Sequence, residues 1–297
     1  MSLAPERSNS MPRGLDHIVH VVRDLDAAAA LYRRLGFIVG ARNRHSRSWG
    51  TENHIVQLPG TYIEILAVTD AAEIVPHLPR HFSFGAFNRD WVAHEQGLSM
   101  LVLEGRGAPD ADAFRAAGIG DYELYEFERQ GKRPDGTSVR LAFALAFASD
   151  PRAPSIGFFT CFQRQPENFW NPAFQSHANT AVAVAGVVLV AQVPSDHAEF
   201  LAAFAGKDSH QTSDGVTITT PRGDIEVLTP AGFASRFGVS APDVSAGARL
   251  AALRFSVAAP SSLAKVPRIS MVRGGNITVI GQDDAMGAVL VFEQLTE

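Results

Sequence analysis

Segments with strand and helix patterning follow one another along this chain in a fixed order, and the order comes back. Residues 15–22 (LDHIVHVV) are rich in β-branched side chains and predict a strand. Residues 24–35 predict a helix: Asp24 can cap it, Ala27, Leu31 and Leu35 recur at helical spacing, and Gly36 can end it in the left-handed conformation. Short strands are then expected at 37–41, 54–58 and 62–68, the last two turned through Pro59-Gly60. A second unit runs through a strand at 98–103, a helix at 110–117 with Asp110 as its cap and Gly118 at its end, and strands at 122–129, 138–148 and 157–163. A third has a strand at 183–192, a helix from Ser195 or Asp196 to Ala205 closed by Gly206, and strands at 216–220 and 224–228. The fourth is abbreviated: strands at 250–258, 269–272, 276–281 and 288–294, with a stub of helix at 261–266 cut off by Pro267.

A repeat of this kind decides the fold before any single motif does. A strand-helix-strand-strand-strand unit leaves one sheet face bare, and two units can curl their sheets together around a cleft. The expected fold class is therefore α+β, with four βαβββ modules paired into two domains. Residues 1–13 are expected to be a flexible arm, 14–172 the first domain and 173–297 the second, with the boundary near 173–179. One large antiparallel sandwich fits less well, because a helix recurs on schedule after each first strand.

Composition narrows the function. With 297 residues and 46% hydrophobic side chains, the chain can bury a sizeable core. A net charge of −5 without a Lys/Arg run argues against nucleic acid as a partner. The lone cysteine, Cys161, excludes an intrachain disulfide and a multi-cysteine zinc site, and it fits a reducing cytoplasm. The longest apolar run, 181–191, is too short for a membrane span, and the N-terminal residues lack the apolar segment of a secretory signal. A soluble cytoplasmic protein with a small-molecule ligand is the expectation, with a homodimer as an open alternative. No GxGxxG, phosphate-cradling loop, HExxH or GxSxG pattern is present.

The chemistry concentrates in residues 44–68. In the strand 62–68, Glu64 shares a face with Tyr62 and Leu66, while Ile63 and Ile65 point the other way. A carboxylate amid apolar strand residues is costly to bury unless paired or bound to a metal. The competing reading is an exposed edge-strand glutamate. His45, Trp49 and Asn53 lie just before it and are candidates for substrate binding: an aromatic wall from Trp49, an orienting amide from Asn53. Alternatively, 50–53 is only a structural turn. Phe82, Phe84, Phe87 and Trp91 read as a packed linker rather than a lid. His20 falls on the opposite strand face from His17.

The segments LDHIVHVVRDLDAAAALYRRLGF, RHSRSWGTENHIVQL and TYIEIL, in this order, resemble the vicinal oxygen chelate superfamily, most closely its glyoxalase-like domain proteins in the glyoxalase, bleomycin-resistance and extradiol-dioxygenase group. The resemblance is best over 14–119, weakens toward Ala181, and in the last two units is one of architecture only. It implies a divalent metal (Zn, Ni, Mn, Mg or Fe) in the cleft between paired modules, held by residues of their first and last strands. His17 and Glu64 match those positions in unit one. In unit two Ser99 stands where a histidine or glutamine is usual, and Gln163 is a better oxygen donor than Cys161 on the same face. The implied metal set is His17, Glu64 and Gln163, with Glu64 also the catalytic base. His17 as a hydrogen-bonded core histidine is the other reading. Units three and four place Val187 and Ala252 where His17 sits and repeat only the glutamate, as Glu226. The implied activity is that of a metal-assisted lyase or isomerase on a substrate with adjacent oxygens. A binding protein that sequesters a small molecule is the alternative. Iron-dependent ring cleavage fits less well, since two histidines and a carboxylate are not in view.

Overall fold

A computed structural model describes residues 11–132, 136–259, 263, 271–274 and 276–295. The first half contains β1 (Leu15–Val21), α1 (Leu25–Arg34), β2 (Asn43–Arg44), β3 (Thr51–Leu58), β4 (Thr61–Val68), α2 (Phe84–His94), β5 (Gly97–Glu104), α3 (Ala108–Ala116), β6 (Tyr125–Lys132), β7 (Ser138–Ala148), β8 (Gly157–Gln163) and a single turn, α4 (Pro166–Phe169). The second contains β9 (Ala181–Val190), α5 (Ala198–Ala205), β10 (His210–Gln211), β11 (Gly215–Thr219), β12 (Asp224–Leu228), α6 (Pro230–Phe237), β13 (Arg249–Val257), β14 (Met271–Gly274), β15 (Ile277–Ile280) and β16 (Val289–Gln294). Each half forms one eight-stranded mixed sheet, ordered β2-β3-β4-β1-β5-β8-β7-β6 and β10-β11-β12-β9-β13-β16-β15-β14. Modules one and two thus meet along the antiparallel β1–β5 seam, and modules three and four along β9–β13. This is the α+β architecture of four paired βαβββ modules.

Local chemistry sets most element ends. Asp24 accepts from the Ala27 amide and starts α1, and Gly36 follows its end at φ +85°. Pro109 pulls the start of α3 back to Ala108, so Asp110 lies inside the first turn and does not cap it. The strand expected at 37–41 does not form. Its amides are spent on different partners: Phe37 on the Tyr32 carbonyl, Ile38 on His177 Nδ1 and Gly40 on Ile55. The phenylalanine-rich linker is a helix, α2, capped by Ser83. The helix expected at 261–266 lies outside the described residues except for Leu263.

The two faces of each sheet do different work. One face of both sheets packs into a single shared core with α1, α3 and α5, joining Ile18, Ile63 and Phe158 of the first half to Val187, Phe204 and Phe255 of the second. The opposite faces have separate clusters: α2 fills one end of the first with Phe84 and Trp91, and α6 fills the second with Phe233 and Phe237. Polar ties cross the same junction. Arg13, assigned to a flexible arm by its sequence position, is 2% exposed; it donates to Asp110 on α3 and to the Phe204 carbonyl on α5. Buried His197 lies 2.7 Å from Asp150, and Arg222 donates to the Leu15 carbonyl.

Pairing register corrects one position. His17 stands beside Tyr62, two residues before Glu64; in the second half Gly186 stands beside Asp224, two before Glu226. The counterpart of His17 is therefore Gly186, not Val187. Arg254 lies opposite Gly186 on the seam and donates to both Glu226 (2.6 Å) and Glu293 (2.7 Å). Arg236 also pairs with Glu226. The second cleft is thus closed by an arginine already satisfied by two carboxylates.

Candidate active site in the first half

The free face of the first sheet encloses a small cavity of about 40 Å³ between its two modules. Strand alternation delivers the walls: Tyr62 and Glu64 from β4, Asn53 and Ile55 from β3, Phe127 and Arg129 from β6, Phe143 and Leu145 from β7, Phe159 and Cys161 from β8. His17 enters from β1, Phe84 from α2, Phe169 from α4, and His45 and Trp49 from the loop before β3.

Glu64 is 5% exposed. Its Oε1 accepts from Asn53 Nδ2 at 2.5 Å. The same amide nitrogen is 3.0 Å from His45 Nε2, and Asn53 Oδ1 accepts from Asn43 Nδ2, which fixes the amide's orientation. His45 then donates through Nδ1 to Thr51 Oγ (2.8 Å). Burial lowers the His45 pKa against the pull of Glu64, so the ring is neutral and accepts from Asn53. The second carboxylate oxygen, Oε2, faces His17 Nε2 across 3.8 Å. No Lys or Arg comes within ion-pair distance of Glu64 among the described residues.

His17 is held on three sides. Its Nδ1 donates to Asp16 Oδ1 at 2.6 Å, its ring stacks on Tyr62 with centroids 4.3 Å apart, and Phe159 meets it edge-on. A register shift between Leu15 and His17 on the β1–β5 seam lets the adjacent Asp16 serve as partner. A carboxylate on one ring nitrogen leaves the other with a lone pair aimed at Glu64, the arrangement that orients metal-ligating histidines. Asp16, His17 and Cys161 offer donor atoms within 4.8 Å of one another and form a possible metal-binding group, with nothing in the set that selects one ion. Burial, then the Asp16 and Glu64 charges, raises the Cys161 pKa well above the ordinary range, so the thiol is protonated.

The structure brings His17, His45, Trp49, Asn53 and Glu64 together around one cavity. It does not bring Gln163 there. That side chain donates to Asp16 Oδ2 from behind (3.1 Å) and lies in a separate hollow with Glu104 and Arg222. Ser99 is buried and donates to Asn88. The β1–β5 dyad exchanges the pairs His17–Val102 and Val19–Met100, so the module-two counterpart of His17 is Met100 and that of Glu64 is Phe159. His20 points into the shared core, 2.9 Å from Tyr32 Oη. Three contributors were missed from the sequence. Asp16 could not be seen without the register shift, and Phe169 ends a single helical turn too short to carry a periodic signal. Arg129 had a legible signal, since alternation in YEFER puts it on one face with Tyr125 and Phe127.

Residues 15–205 match the family model described as a glyoxalase-like domain. No curated protein matches the sequence. Among solved structures, a hypothetical protein from Staphylococcus aureus superposes with a TM-score of 0.68 at 11% identity, covering 95% of this chain and 100% of that one. A mutant 4-hydroxymandelate synthase from Streptomyces coelicolor gives 0.57 at 11% identity, with 96% and 93% covered. The Mn(II)-bound glyoxalase from Novosphingobium aromaticivorans gives 0.51 at 12%, with 97% and 84% covered. At these identities the likeness is one of fold.

Proposed function

The chain belongs to the glyoxalase-like domain family of the vicinal oxygen chelate superfamily, and from that premise we propose that its first half is a lyase or isomerase that moves a proton on a small oxygenated substrate, with Glu64 as the base. The observation that carries this reading is the asymmetry of the Glu64 carboxylate: Oε1 is held by a neutral amide while Oε2 looks into a ring-lined cavity. A carboxylate so placed has one oxygen fixed and the other free to meet a substrate proton. Asn53 and the neutral His45 behind it position Glu64 without quenching its charge. Trp49, donating to Tyr125 Oη and stacked on Phe84, closes one wall and excludes water.

The donors fit a divalent ion. Nε2 of His17 and Oε2 of Glu64, 3.8 Å apart, match two ligands each about 2.0–2.2 Å from one ion, and Asp16 fixes the His17 tautomer. Met100 and Phe159 at the module-two positions add no donor, so the set suits an ion that keeps coordination sites for water or substrate, not a closed structural zinc site. A bound ion would supply Lewis-acid stabilisation of a substrate oxygen. The same apolar pair favours a second reading, a binding protein without turnover.

Proton exchange separates the two. Small dicarbonyl and α-hydroxycarbonyl compounds are incubated with the full chain in D₂O, with and without added Mn²⁺ or Mg²⁺, and deuterium incorporation is followed by NMR. The proposal expects incorporation that falls on the order of 10²-fold or more in Glu64→Gln. Unchanged incorporation in that variant removes Glu64 as the base. Binding without incorporation in either protein establishes the second reading.

A further inference from the structure

Arg129 is the one basic side chain that lines the cavity, and among the described residues it makes no hydrogen bond and no ion pair. The other inward-facing arginines are all matched: Arg13 by Asp110, Arg222 by Glu104 and Arg254 by Glu226 and Glu293. Burial lowers the Arg129 pKa, against the pull of Tyr62 and Glu64. Arg129 is half-buried, and a guanidinium partly withdrawn from water without a partner is stabilised by an anion arriving beside it.

Its position says where the anion would lie. Ile55, Arg129 and Phe169 line both the inner cavity and an adjoining groove bordered by Asn43, Gln57 and Asn168, so they form the neck between the two. Beside the neck the walls are rings: Phe127 and Phe143 are stacked 5.1 Å apart, with Tyr62, Phe84 and Phe159 lining the same cavity. Glu64 stands directly across β3–β4 from Ile55. The groove therefore leads to an aromatic chamber that carries both a cation and a carboxylate.

We infer that the ligand is a one-ring aromatic carboxylic acid, bound with its carboxylate on Arg129, its ring among Phe127, Phe143 and Phe169, and its hydroxyl or acidic C–H directed at Glu64. This rests on the reading that this cavity is the active site. A guanidinium fork matches the two oxygens of a carboxylate. A phosphate dianion would bring a second negative charge into a chamber that already holds Glu64 and has no Lys or Arg besides Arg129 in its lining. The inner cavity holds about 40 Å³, so the ring lies at the neck, where the groove of about 380 Å³ opens beside Phe169.

The test is calorimetric binding of phenylacetate and its neutral isostere phenylacetamide to the full-length protein, beside Arg129→Gln, Arg129→Lys and Glu64→Gln. Wild type should bind the acid at least 10-fold more tightly than the amide. Arg129→Gln should erase that preference, Arg129→Lys should keep part of it, and Glu64→Gln should retain acid binding. Equal affinity of wild type for acid and amide, binding of neither, or an intact acid preference in Arg129→Gln overturns the inference. The wild-type comparison decides even if a variant fails to fold. Loss of the acid preference with Glu64-dependent proton exchange intact sinks the ligand class alone. The converse sinks the proposed base and leaves the ligand class standing.

Discussion

Arg13→Met should destabilise the whole chain, although Arg13 lies in a segment that reads as an arm. The substitution keeps the length of the side chain and removes its charge. Three hydrogen bonds disappear: two to Asp110 Oδ1, at 3.0 and 2.8 Å, and one to the Phe204 carbonyl at 2.9 Å. The guanidinium also leaves the face of Phe114, 5.0 Å from the ring centroid. Orphaning a buried carboxylate would cost about 3–5 kcal/mol. Asp110 is not orphaned, because the Arg106 side chain and amide still hold it. What remains is the Phe204 carbonyl without its side-chain partner and the lost charged bonds, together about 2–3 kcal/mol. For a chain of this size that is roughly 4–6 °C in melting temperature. The pH dependence has a definite sign. Burial raises the Asp110 pKa, but the Arg13 charge and the bonds from Arg106 and Arg13 outweigh it, so the carboxyl sits below its ordinary 3.8. Its contribution is complete above that value and is lost as pH falls through the depressed folded pKa. Calorimetric scans of both proteins at pH 7 and then in acid below the depressed Asp110 pKa should show the gap narrowing to the share owed to the Phe204 carbonyl. A melting temperature within about 1 °C of wild type at pH 7, or a gap of the same size in acid, refutes the reasoning.

Two further expectations concern the second half and its junction with the first. Burial holds His20 near pKa 4, opposed by its bond to the Met286 carbonyl, whereas the unfolded chain takes up that proton at about 6.5. Stability should thus fall as pH drops from 6.5 toward 4, by roughly 2 kcal/mol at pH 5. Replacement by asparagine should flatten that slope, and an NMR titration of His20 with a midpoint near 6.5 would contradict the assignment. Arg254→Met leaves Glu293 and one oxygen of Glu226 unpaired and should cost about 3–5 kcal/mol by urea unfolding. Adding Glu293→Gln should recover part of the loss, and additive effects of the two substitutions would show that the ion pair is not the cause.

The module order was legible because it rests on periodicity that survives in any one sequence: β-branched alternation in 15–22 and 62–68, helical spacing in 24–35, and glycine at the helix ends. The two cleft helices were not. Phe84–His94 and Pro230–Phe237 break the repeat order, and their phenylalanines look like any aromatic linker. The proposed ligand set was legible only within one module. His17 and Glu64, which the resemblance implied, lie on parallel neighbouring strands and face one cavity. Across the seam, pairing register decides, and no periodicity encodes it. That is why the sequence could name Gln163 on the last strand of its module and not show that its side chain lies behind Asp16. It is also why the counterpart of His17 in module three was placed one residue away from Gly186. Burial of Arg13 depends on contacts nearly a hundred residues away, which local patterning does not report.

The shared core bears on where this chain can be cut. The family match ends at residue 205, inside the second sheet's half, and that is the end of α5. Phe200 and Phe204 of α5 pack on Phe158, and Phe204 also packs on Phe114. A fragment ending at Pro172 would hold every wall of the cavity and still present two bare phenylalanines and half a core to water. An expression boundary drawn at the sheet break would yield a sticky product, because the smallest self-contained piece is set by what covers the back of the first sheet.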